Sequence, residues 1–111
     1  MIKSAITVSL VAQAKGGPFV YWDGLSAAAA SAAKLGFDAI EVFAPSAASI
    51  DRPALHALLK QHGLTAAAFG TGGGWLVHKW HLTHADPAIR SQAREFIRAI
   101  IDVGGEFKAP A

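Results

Sequence analysis

Cysteine is absent from the 111 residues. That excludes a disulfide framework and a thiolate-bound metal, and it leaves the redox compartment open. Charge is sparse. Eight acidic residues face ten Lys and Arg scattered from Lys3 to Lys108, giving a net charge of only +2. A bias this weak does not imply a nucleic-acid partner. Charged residues make up 16% of the chain and hydrophobic ones 52%, a balance that excludes disorder and favours packed, covered strands. No apolar run reaches membrane-spanning length. Lys3, apolar Ala5–Ala12 and Ala12-Gln13-Ala14 loosely resemble a secretory leader. One basic residue, and polar Thr7 and Ser9 within the run, favour a first buried strand over Ile2–Leu10 and a cytoplasmic protein.

What is present reads as alternating strands and helices. Ser4–Leu10 is β-branched and strand-length, and Lys15-Gly16-Gly17-Pro18 breaks it. Asp23 is the expected N-cap of a helix whose apolar face is Leu25, Ala28, Ala29, Ala32 and Leu35, closed by Gly36. Ala39–Phe43 is a second strand with one carboxylate, Glu41, in an apolar run. A helix closing on glycine just before such a strand is the αβ joint of a parallel sheet. Asp51 caps a second helix with Pro53 in its first turn, Leu55, Leu58 and Leu59 inward, and Gly63 after its end. Leu64–Phe69 is a third strand, terminated by Gly70–Gly74. Trp75–Ala85 shows no clear period. Asp86-Pro87 then starts a third long helix through Ile89, Ala93, Phe96, Ile97, Ile100 and Ile101, ending at Gly104 or Gly105.

The fold class is therefore α/β, one domain over residues 1–111, with three βα units in a parallel sheet. Helices on one face would leave the other face and two strand edges uncovered. The second strand reads as apolar on both sides apart from Glu41, so either a second copy (a homo-oligomer) or further barrel strands are expected to complete it.

Leu35–Phe43 (LGFDAIEVF), His81–Ala99 (HLTHADPAIRSQAREFIRA) and Gly105–Ala111 (GEFKAPA) together resemble the xylose-isomerase-like TIM-barrel superfamily. Within it they are most similar to the sugar phosphate isomerase/epimerase group. The resemblance implies the opening three units of a (βα)8 barrel, typically about 250 residues. It implies isomerisation or epimerisation of a small sugar or sugar phosphate, with Mn2+, Mg2+ or Zn2+ assisting proton transfer in the complete barrel. The family's metal ligands and catalytic carboxylates come mostly from later strands. No catalytic or metal-ligating residue is therefore assigned on this chain, and the alternative is a non-catalytic truncated barrel that self-associates.

The candidate substrate-binding residues are Glu41, Trp75, His78, Lys79 and His81. Glu41 lies in the C-terminal half of its strand, the end that faces a barrel's active site. Trp75, His78, Lys79, Trp80, His81 and His84 form the densest cluster: aromatics offer stacking faces, Lys and His offer donors to hydroxyl or phosphate oxygens. The bland reading is a solvated loop with one packed tryptophan. Gly70–Gly74 lacks both nucleotide fingerprints and reads first as a flexible loop, one able to close over a small ligand. Arg90, Arg94 and Arg98 recur every four residues, but without interleaved aromatics they read as a solvated face, with Arg98 able to pair with Asp102. Neither nucleic acid nor membrane is an expected partner.

Overall fold

The computed structural model describes residues 2–111. Strands β1 (Ala5–Ser9), β2 (Ala39–Phe43) and β3 (Thr65–Gly70) form one parallel sheet in the order β1-β2-β3. Helices α1 (Leu25–Lys34), α2 (Arg52–His62) and α4 (Pro87–Glu106) alternate with them, and a short helix α3 (Gly73–His78) is inserted after β3. This is a parallel (βα)3 unit, as the order of apolar periods predicts.

Local chemistry explains most boundaries. The small buried face of α1, Ala28, Ala29 and Ala32, lets it lie close to the sheet. Gly36 (φ 82°) ends it, with the amides of Gly36 and Phe37 donating to the carbonyls of Ala33 and Ala32. Asp51 accepts from the Ala54 amide at 3.0 Å and Asp86 from the Ala88 amide at 2.8 Å, each followed by a proline in the first turn. Two expectations fail. Asp23 does not cap α1: Gly24, at φ 90°, holds the N-cap position, and a glycine turn there leaves Asp23 outside the helix. Helix α4 also runs past Gly104 and Gly105 to Glu106. Glu106 is gripped there by α2, through Arg52 (2.9 Å) and His56 (2.9 Å).

Register divides the sheet into two faces. Ile6, Ile40 and Ala66 form one row towards the helices, and Val8, Val42 and Phe69 the next. Alternation alone would turn Phe69 away from Ala66. The register shift opposite Ile40–Glu41 leaves Ala67 as an extra residue, so both point into the core. The opposite face carries Ala5, Thr7 and Ser9 on β1, Ala39, Glu41 and Phe43 on β2, and Thr65, Ala68 and Gly70 on β3. It is thus small and partly polar, with β2 apolar on it apart from Glu41, as read from the sequence. Its one large apolar group, Phe43, is 6% exposed because Phe19 stacks on it at 4.7 Å. Both strand edges are also partly occupied by the chain itself. Tyr21 bonds Ser9 and Thr7 along β1, and the Phe69 amide of β3 donates to the carbonyl of Ala111.

Two exposed carboxylate clusters make stability acid-sensitive. The Ser4 amide (2.8 Å), then its hydroxyl and Lys3, hold the Asp38 carboxyl below its ordinary 3.8. Hydrogen bonds from His56 and then Arg52 hold Glu106 below its ordinary 4.5. The unfolded chain therefore protonates first as pH falls, so this stability is present above pH 4.5 and lost as pH falls through the lowered values. The urea midpoint is expected to drop between pH 5 and pH 3, less steeply in Glu106→Gln. An identical drop in wild type and variant would remove Glu106 from the account.

Candidate functional site

The candidate residues lie in two places: Glu41 at the middle of β2, and Trp75, His78, Lys79 and His81 in and just after α3. Glu41 is half-buried on the open face, between Thr7 of β1 and Ala68 of β3. Among the described residues it takes part in none of the ion pairs, which are Lys3–Asp38, Arg52–Glu106 and His56–Glu106. A carboxylate in that setting is free to accept hydrogen bonds from a ligand. Ser9, on the same face, is 2% exposed and engaged with the Val11 backbone.

The glycine-rich stretch is built for close approach, not for flexibility. A Cβ on Gly70 or Gly72 would meet the Phe43 ring, on Gly73 the Ala44 carbonyl oxygen, and on Gly74 the Phe96 ring. These contacts seat α3 over the strand ends, packed between α4 and the 3-10 turn Ala12–Ala14. The amides of Gly74, Trp75 and Leu76 donate within their own turn, to Thr71 and Gly72.

Helix α3 then splits the aromatic and histidine cluster in two. His78 turns inward: its Nε2 donates to the Pro45 carbonyl at 3.1 Å, and its ring stacks on Trp80 at 4.2 Å and lies 6.1 Å from Phe96. It fastens α3 to β2's exit and to α4. Trp75 turns outward and is 50% exposed. Lys79, in a left-handed backbone conformation (φ 60°), brings its Nζ to 4.9 Å from the Trp75 ring centre, and His81 meets the indole at 5.4 Å, edge to face. His81 also contacts Thr83 through Nδ1 at 3.1 Å, and His84 accepts from the Asp86 amide. Trp75, Lys79 and His81 are thus one constellation, whereas Glu41 lies on the sheet and His78 in the packing beneath. Arg90 is withdrawn from the arginine stripe, donating to the carbonyls of His84 and Ala85 at 2.6 and 2.8 Å. Arg98 and Asp102 do not pair among the described residues.

A family model described as a xylose isomerase-like TIM barrel matches residues 29–111. The chain belongs to that family. Among curated proteins none matches it. The match begins inside α1, so β1 and the loop after it lie outside the matched region. The (βα)3 unit is three of the barrel's eight repeats, and in a TIM barrel the C-terminal strand ends, over which α3 is seated, form the active-site face; Glu41 is the central residue of β2.

Two cavities flank this region. One of about 320 Å³ opens at the end of β1, lined by Ser9, Leu10, Lys15, Trp22 and Asp23 among others. A larger one of about 410 Å³ lies against the β3 edge and α4, lined by Phe69, Ile100, Ile101 and Ala109, without a titratable side chain. The first adjoins the polar groups. The second is lined mainly by apolar side chains. Sequence reasoning missed Phe19 and Phe43 as an aromatic pair on the site's face. The distance between them along the chain hid the contact, although period-2 alternation puts Phe43 on the same side as Glu41.

Proposed function

We propose that this chain forms part of the carbohydrate pocket of an isomerase- or epimerase-type barrel acting on a small sugar or sugar phosphate. The observation that carries the reading is Glu41: a half-buried carboxylate without an ion-pair partner among the described residues, on the open face of a sheet of this family. Such a group accepts hydrogen bonds from sugar hydroxyls. The exposed Trp75 offers a stacking face, and Lys79 and His81 beside it are donors suited to hydroxyl or phosphate oxygens. His78 acts as a positioning residue, holding α3 in place. Shifting a proton next to a carbonyl needs a base and charge stabilisation at the oxygen. A divalent ion is the family's implied source of the second. The residues here do not fit one: His78 is committed to Pro45, His84 Nδ1 to the Asp86 amide, and among the described residues no group of three or more His, Asp or Glu converges. The chain's own contribution is therefore binding and orientation.

The test is titration of the isotope-labelled chain with ketoses and their phosphates, read by amide chemical shifts. Glu41→Gln and Trp75→Ala are each expected to weaken binding about ten-fold, the loss of one charged hydrogen bond or one stacking face. Binding unchanged in both variants, or absent with every sugar, would sink the proposal.

A further inference from the structure

We propose that residues 16–24 form an autoinhibitory strap. Its Phe19 occupies the stacking place over Phe43, and it opens as a unit to uncover an aromatic subsite beside Glu41 for the apolar face of a sugar ring. The strap is bounded by glycines at positive φ, Gly16 at 93° and Gly24 at 90°. A Cβ at either would meet nothing within 4 Å, so backbone conformation, not space, is what requires glycine there. The chain bends at both ends through a backbone conformation that glycine adopts freely.

Between the hinges, Tyr21 packs against the hydrophobic core and bridges Val8 of β1. Phe19 stacks on Phe43 at 4.7 Å with the rings 28° apart. Trp22 meets Phe19 edge-on at 6.0 Å and its Nε1 donates to the Phe19 carbonyl, a bond internal to the strap. Two main-chain bonds tie the strap to β1: the Ser9 amide to the Tyr21 carbonyl at 2.9 Å, and the Tyr21 amide to the Thr7 carbonyl at a long 3.4 Å. Against them stands a cost. Among the described residues the Tyr21 hydroxyl is buried without a hydrogen-bond partner, and opening would return it to water. The closed strap is therefore held by the Phe19 stack, the Tyr21 packing and two main-chain bonds, and the buried hydroxyl works against them.

Its position makes opening consequential. Phe43 and Glu41 are two residues apart on one strand and face the same side. The ring of Phe43, 6% exposed beneath Phe19, becomes a stacking floor next to the carboxylate once Phe19 leaves. That the floor receives a sugar rests on the reading above. That the strap opens rests on the contacts alone.

Native-state amide exchange on the full chain tests the strap. The Ser9 amide reports it, and the neighbouring Leu10 amide, bonded at 2.8 Å to the Phe43 carbonyl, reports the sheet. Phe19→Ala is expected to lower Ser9 protection about ten-fold with Leu10 unchanged. Tyr21→Phe, which removes the orphan hydroxyl, is expected to raise Ser9 protection several-fold. Equal changes at Ser9 and Leu10, or none at either, would overturn the strap. Fructose titration of the same proteins tests the occlusion, which predicts tighter binding by Phe19→Ala. Equal or weaker binding overturns occlusion. Absence of binding in both, with the exchange pattern intact, removes the sugar reading and leaves the strap standing as an opening unit only.

Discussion

Gly73→Ala is expected to cost about 3 kcal/mol, by forcing a methyl into closed packing. Helix propensity alone gives the opposite sign, since Ala is better than Gly inside a helix by about 1 kcal/mol. Packing decides. The new Cβ would collide with the carbonyl oxygen of Ala44 and lie 3.2 Å from Pro45 Cα, both backbone atoms. Backbone yields less readily than a side-chain tip. Ala44 is 1% exposed and follows Phe43, whose ring is held between Phe19 on one side and the glycines at 70 and 72 on the other. Gly105→Ala is the control: it lies in α4, at no positive φ, and its Cβ would meet nothing within 4 Å. That substitution is expected to gain about 0.5–1 kcal/mol. Urea denaturation of both variants settles it. A Gly73→Ala protein as stable as wild type would mean that α3 is not seated as described.

The contrast between these two glycines shows where sequence stops informing. The strands and long helices were legible because their signals are local: apolar period, Asp N-caps at 51 and 86, proline in the first turn, glycine after α1 and α2. Helix α3 was not, because five residues with four glycines carry no local helix signal. Their fit depends on Phe43, Ala44 and Phe96, which are distant in the chain. The Ala67 bulge was likewise hidden, since Ala66-Ala67-Ala68 looks alike in either register. Asp23 misled because a capping residue beside a glycine gives no sign of which one occupies the N-cap.

The site divides in the same way. Glu41 stood out as one polar residue in an apolar strand, and the structure leaves it on the open face. The cluster from Trp75 to His84 was visible as a density of useful side chains, but its division into an outward and an inward half was not. That division follows from six residues of helix and from Lys79 turning the chain at positive φ. A residue-type count cannot distinguish His78, which supports, from His81, which faces Trp75.

Phe96→Ala is the second large expectation, a loss of about 3–5 kcal/mol for a buried aromatic cut to a methyl. For a chain of this size, with a total stability of about 5–15 kcal/mol, that is a large share. Phe96 is 7% exposed, and Trp80 (6.2 Å) and His78 (6.1 Å) lie around its ring. The missing Cβ of Gly74 is what admits it, because a methyl there would lie 3.1 Å from the ring. Removing the ring should therefore release α3 before the sheet. Tryptophan fluorescence, to which Trp75 and Trp80 contribute, is expected to change at lower urea than the far-ultraviolet signal of the whole fold, giving two transitions where wild type gives one. The pairing with Gly74 adds a sharper test. Gly74→Ala alone should destabilise through the Phe96 contact and become harmless in the Phe96→Ala background, a coupling of about 0.5–3 kcal/mol. Additive losses, with coincident transitions, would show that α3 is held by something other than this ring.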